Sequence, residues 1–192
     1  MVSSMTDSAA YYRTFIEDGH EFLNPMSFQD GKTFTDALAG SSEEAAALTL
    51  NYRLEVSDDS GNRLRHATAP WVFAGSPLVV IEDIRDAISA AIGEDAQLLP
   101  MNVEIQSKSS CTMWYLHTDH VVDDLDVQKS DLRTVLGNRV ASIKKLVLTD
   151  EHAPYPTIFK LSECRDFYCY SADFVSKLRG LDVITGTTFQ PL

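Results

Sequence analysis

The sequence predicts an α+β fold: a mixed, mainly antiparallel sheet with a few helices packed on it. Three observations carry this expectation. Leu48, Leu50, Tyr52, Leu54 and Val56 alternate with Thr49, Asn51, Arg53 and Glu55, the period of two that marks a strand buried on one face. Ile81, Ile84, Ala87, Ile88, Ala91 and Ile92 recur instead at helical spacing. Strand-like and helix-like segments then follow one another without the regular βαβ rhythm of a parallel fold.

Taken in order, the first 50 residues stand apart. They hold eight acidic side chains against two basic ones, Arg13 and Lys32, and so carry half of the net charge in about a quarter of the length. Ser8 is placed to cap a short helix through Ile16, with Tyr12, Phe15 and Ile16 on its apolar side and Gly19 as its stop. Residues 24–44 read as loop, punctuated by Pro25, Gly31 and Gly40. Segment 1–45 is therefore expected to be an acidic arm packed on a main fold of residues 46–192.

After the strand at 48–56, Asp58-Asp59-Ser60-Gly61-Asn62 has the composition of a turn. Residues 70–81 mix short β-prone pieces with Gly75 and Pro77. The helix that follows has Glu82 and Asp83 in its first turn, where the dipole favours anions, and Gly93 as its stop. Strands are expected at 98–105, 112–116 and 140–148, with Lys108-Ser109-Ser110 as the loop between the first two and the last as a central strand. Residues 158–161 and 167–170 form another pair joined by a polar turn. Ser171 caps a helix with Phe174, Val175 and Leu178 facing inward and Gly180 at its end, and Val183, Ile184 and Phe189 make a last extended piece.

Composition limits what such a fold does. The chain has 192 residues, 44% of them hydrophobic and 23% charged, as expected for one globular domain. Its formal net charge of −12 repels phosphate backbones, so no nucleic-acid partner is expected, whereas a basic protein is favoured by opposite fields. The N-terminus lacks a basic stretch followed by an apolar one, and residues 70–81 are too short and interrupted to span a bilayer. No secretion signal and no membrane association are expected. Cys111, Cys164 and Cys169 are odd in number and lack CxxC spacing, which suits a reducing cytosol rather than a disulfide framework or a cysteine zinc site.

Few residues suggest chemistry. His117-Thr118-Asp119-His120 is the one place where two histidines and a carboxylate come close, but the segment reads as a solvated loop following a strand, and no third ligand accompanies it. Asp123-Asp124-Leu125-Asp126 concentrates carboxylates without the spacing of an EF-hand. These either receive Lys or Arg from a partner, or are structural, with Asp126 turning the chain and Asp123 and Asp124 solvated. No GxSxG elbow, phosphate loop or cysteine–histidine pairing is present, so neither a catalytic set nor a cofactor or metal site is expected. Cys111 reads as a small buried hydrophobe. Trp71 and Trp114 read as core residues, with a binding-surface role as the alternative.

One longer pattern is informative. It runs Ser76-Pro77-Leu78-Val79-Val80, the helix at 84–92, Gln97-Leu98-Leu99-Pro100-Met101-Asn102-Val103, Trp114-Tyr115-Leu116, and 121–126 ending in Leu125-Asp126, with Ser130 four residues on. It continues through Ile143-Lys144-Lys145-Leu146-Val147-Leu148, Thr157-Ile158-Phe159-Lys160 and Tyr170-Ser171-Ala172-Asp173-Phe174 to Leu178, Leu181, Gly186 and Phe189. In order and spacing it resembles a bacterial family of polymorphic-toxin immunity proteins, a former domain of unknown function named after a myxobacterial member. The resemblance covers residues 46–192. The chain departs from it at Leu98-Leu99-Pro100, where the family often has a phenylalanine beside the Leu-Pro pair. It departs again at Val80-Ile81-Glu82, in place of a serine-containing helix start, and segment 1–45 has no counterpart.

The resemblance implies a cytoplasmic, non-enzymatic inhibitor that neutralises a cognate antibacterial toxin by direct contact. That toxin would be basic, of nuclease type or another cell-killing enzyme, and encoded by the adjacent gene. The contact residues then expected are Glu17, Asp18 and Glu21 of the arm, with Asp119, Asp123 and Asp124. Two other readings stay open. A small hydrolase with a dispersed site around His117 and His120 calls for a cleft that holds His117 and a supporting carboxylate. A small-molecule-sensing adaptor calls for a closed apolar cavity.

Overall fold

In the computed structural model, residues 10–105, 109–135, 139–149, 151 and 153–192 are described. The expected capping residue Ser8 and the loop residue Lys108 lie outside them. The fold is α+β and mainly antiparallel. One sheet has the order β12-β1-β11-β10-β7, formed by Thr187–Pro191, Tyr11–Ile16, Cys164–Ser171, Ile158–Leu161 and Val121–Val122. A second has the order β2-β3-β5-β6-β4, formed by Phe22–Pro25, Asn51–Glu55, Gln97–Ile105, Ser109–His117 and Val79–Ile81. The pairs β3–β5 and β10–β7 are parallel, and the other pairs within these two sheets are antiparallel. A separate hairpin joins β8 (Asp131–Val135) to β9 (Arg139–Lys145).

The first sheet is covered on both faces. Ile158, Tyr168 and Tyr170 point into a large core shared with the second sheet, whereas Phe159, Leu161, Phe167 and Cys169 point into a smaller core closed by Val140, Ile143 and Leu146. This double burial explains the apolar runs at Ile158–Leu161 and 167–170, where successive residues on both faces are buried. It also explains the misreading of 140–148 as a central strand. The segment is apolar because it lies across a sheet face, and among the described residues β9 pairs only with β8.

Two further expectations are corrected in the N-terminal segment. Residues 11–16 form no helix: β1 lies between β11 and β12, with Tyr12 opposite Tyr170 and Pro191. The run Tyr-Tyr-Arg-Thr-Phe-Ile is rich in aromatic and β-branched side chains, which favour a sheet that can pack them. Residues 24–44 are not a loop either. They include α1 (Phe28–Ala39) and the start of α2 (Ser42–Ala46). Ser27 caps α1 by accepting from the Asp30 N–H, and Ser41 with Glu44 forms a capping box on α2. Phe34, Ala37 and Leu38 of α1 are buried in the large core. Because β1 and β2 sit within the two sheets, segment 10–45 is woven into the fold instead of lying on it as an arm.

The remaining helices largely follow expectation. The third, α3 (Glu82–Ile92), ends at Gly93 with a φ of 62°. The fourth, α4 (Ala172–Leu181), is capped by Ser171 but passes Gly180 and stops at Asp182, which takes the left-handed conformation at φ 51°. Aspartate tolerates that region better than most residues.

Candidate functional site

Of the six acidic residues expected at a partner surface, Glu17 and Asp18 come together in one groove. It is formed where β1 runs out beside β12 and the end of α4, and encloses about 520 Å³. Phe15, Ile16, Leu178, Ile184 and Phe189 line its apolar part, and Glu17, Asp18 and Asp182 bring carboxylates to it. Glu17 is held in place: its Oε2 accepts from the Gly186 N–H at 2.9 Å, and its own N–H donates to the Gly186 carbonyl at 3.0 Å. Asp18 is exposed and its carboxylate has no partner among the described residues. The one cation of the groove, Arg179, donates to the Phe189 carbonyl at 3.3 Å and lies 5.4 Å from the Tyr12 ring centroid. Three carboxylates against one guanidinium, over an apolar floor, suit a lysine or arginine whose stem buries while its head meets anions.

The other expected contacts are placed differently. Glu21 is 7% exposed, its Oε2 accepting from the Ala67 N–H at 3.1 Å and lying 2.9 Å from His66 Nδ1. Asp124 is 2% exposed and accepts from the Tyr155 hydroxyl at 2.6 Å, so it is a core acceptor and not a solvated contact. Asp123 is exposed and accepts from Ser162 Oγ at 2.5 Å. Asp119 receives the Ser42 N–H at 2.7 Å and the Ser42 hydroxyl at 2.6 Å, tying the start of α2 to the end of β6. Burial raises its pKa, but those hydrogen bonds outweigh this and hold it below the ordinary carboxylate value. Asp126 turns the chain as expected, its Oδ1 accepting from the N–H groups of Gln128 and Lys129.

His117 corrects the sequence reading most clearly. It closes β6, is 0% exposed, and stands with Nε2 3.4 Å from Asp119 and Nδ1 3.5 Å from the Tyr168 hydroxyl. Burial, reinforced by the nearby Lys160 charge, pushes its pKa down to about 4, so the imidazole is neutral at pH 7. His120, by contrast, is exposed and lies 3.7 Å from Asp95. A cleft of about 330 Å³ does bring His117, Asp119, His120 and Asp95 together, as a dispersed active site requires. Both carboxylates are spent on loop closure, however: Asp95 accepts from the Thr157 N–H and hydroxyl, and Asp119 is held by Ser42. With no part of His117 open to solvent, the imidazole this cleft presents to solvent is that of His120, 3.7 Å from Asp95. Among the described residues, no group of three or more His, Cys, Asp or Glu side chains is placed to hold a metal ion.

Sequence reasoning missed Lys160 and His66. Lys160 is buried on the large-core face of β10, and burial lowers its pKa to about 8. The alternation of Ile158-Phe159-Lys160-Leu161 signals that position only once both sheet faces are known to be covered. The tryptophans are half-buried; Trp114 donates to Glu82 and carries the Arg85 guanidinium 3.8 Å from its ring centroid. Cys111 is half-buried rather than a core hydrophobe. No helix among the described residues is long and apolar enough to cross a membrane. No family model and no curated protein matches this sequence.

Proposed function

We propose that this chain is an immunity protein that binds and neutralises a basic antibacterial toxin in the cytoplasm of the cell that produces both. The groove of Glu17, Asp18 and Asp182 over Phe15, Leu178 and Phe189 carries this reading. Its chemistry is complementary to a lysine or arginine anchor, and the net charge of −12 steers a basic partner toward it. A toxin that acts on nucleic acid presents such cations along its substrate track. An acidic protein seated there competes with the phosphates. The resemblance of residues 46–192 to immunity proteins points the same way.

The test is calorimetric titration with a catalytically inactive form of the toxin-like domain encoded by the adjacent gene, at low and high salt. The reading expects nanomolar affinity that weakens as salt rises. It also expects a loss of about tenfold or more when Asp18 and Asp182 are both changed to lysine. Absence of heat and of co-elution at micromolar concentration removes the neighbour as partner. Binding that is indifferent to salt and to both substitutions removes the groove.

A further inference from the structure

A second cleft is lined by Glu21, at the end of the turn at 17–21, and unlike the acidic groove it also holds Arg63 and His66. It encloses about 530 Å³ where the parallel strands β3 and β5 end. Leu54, Val56 and Ile105 line its apolar part, and Ser57, Arg63, His66 and Glu21 its polar part. We propose that this cleft binds a small monocarboxylate with an apolar body the size of a ring or short branched chain.

Three features support this. First, Glu21 is buried and already committed, to the Ala67 N–H and to His66 Nδ1. It fixes the orientation of the exposed imidazole and leaves Nε2 without a partner among the described residues. Second, Ser57 and Arg63 face each other across an isolated antiparallel bridge, so their side chains leave the loop on one side. Arg63 has no hydrogen bond or ion pair among the described residues. The nearest acid in sequence, Asp58, is occupied inside its own turn by the N–H groups of Ser60 and Asn62 and by the Asn62 amide. Third, the charges leave one place. Glu21 is occupied by the Ala67 N–H and His66 Nδ1, while the guanidinium of Arg63 remains unmatched among the described residues, so a ligand carboxylate finds that group open to it. A carboxylate accepts from a guanidinium through two parallel N–H groups, and the apolar lining takes the rest of the ligand.

The test uses the full chain with phenylacetate as probe, followed by amide and histidine ring signals in NMR. The proposal expects saturable shifts at Leu54, Ser57, Ile105 and His66, with benzyl alcohol, the uncharged counterpart, producing none. Changing Arg63 to Gln, on an exposed loop, should weaken phenylacetate by about tenfold. Asp18→Asn in the neighbouring groove should leave it unchanged, which separates this site from the toxin-binding reading. N-acetylphenylalanine distinguishes the source of the carboxylate: tighter binding than phenylacetate identifies a peptide C-terminus, weaker binding a free acid. No saturable shift at the cleft up to about 20 mM overturns the proposal. So do equal shifts with benzyl alcohol, or an Arg63→Gln variant that binds as the native chain does.

Discussion

Lys160 Nζ donates to the carbonyl of Leu38 at 2.8 Å and to that of Gly40 at 3.3 Å, so a buried ammonium on β10 closes the C-terminal end of α1. Helix C-termini leave carbonyls unpaired and carry partial negative charge, and a cation there answers both. Here it is delivered from another element across the core, so α1 is fastened to the first sheet by an internal cap.

Lys160 makes stability depend on alkaline pH. Burial lowers its pKa from 10.5 to about 8, so between these values the unfolded chain holds a proton that the native chain has released. Its contribution therefore rises with pH across that window, by up to about 3 kcal/mol in total. Other groups titrate there too, so the readout is a difference. In urea unfolding at about pH 7.5, 8.5 and 9.5, the native chain should gain stability relative to Lys160→Met at each step. A constant difference contradicts the assignment.

His117 makes the corresponding prediction in acid. Its pKa is pushed from 6.5 down to about 4, so as pH falls through this window the unfolded chain takes up a proton that the native core refuses. The stability it contributes is full above about pH 6.5 and is lost toward pH 4, by up to about 3 kcal/mol. His117→Gln should lessen the pH dependence by close to one proton, measured as the slope of unfolding free energy between pH 4 and 6.5. Equal slopes for the two proteins sink the assignment.

Asp124 and Asp18 should separate structure from binding. Asp124→Ala removes the acceptor of the Tyr155 hydroxyl inside the protein and should cost about 1–3 kcal/mol in chemical unfolding. Asp18→Ala, on the exposed rim, should leave the unfolding midpoint unchanged. If Asp18→Ala proves the more destabilising of the two, the placement of both carboxylates is wrong.

Gly186 should tolerate no side chain. Its φ is 93°, and a Cβ there would stand 2.5 Å from the Cβ of Ala67. Gly186→Ala combines backbone strain with a clash and should cost about 2 kcal/mol or more. Because the Gly186 N–H also holds Glu17, the same variant should weaken binding of the proposed basic partner more than Asp18→Ala does, once compared at a temperature where both are folded.

Much of the β-structure was legible in the sequence. The alternation around Tyr52, the pair at 158–161 and 167–170, the helix after Ile81 and the Ser171 cap all appear where local pattern puts them. These signals are local, since each residue's side is set by its own period. The N-terminal segment departs from its local pattern for the complementary reason. Six residues from Tyr11 to Ile16 are too few for a period to decide between helix and strand, and the two flanking strands, from 164–171 and 187–191, decided it. The helices after Pro25 did carry signals, Ser27 with Asp30 and Ser41 with Glu44, which the glycines at 31 and 40 obscured.

By itself the sequence determined the α+β class, most strand positions and the acidic balance of the chain. Only the tertiary structure decided which of the acids stay open at the surface. Glu21 and Asp124 are buried and Asp119 is tied to Ser42, whereas Glu17 and Asp18 meet Asp182 from far along the chain. The physical reason is that a carboxylate's role depends on the donors and solvent around it. Those neighbours come from segments 31 to 169 residues away along the chain, beyond the reach of any local period.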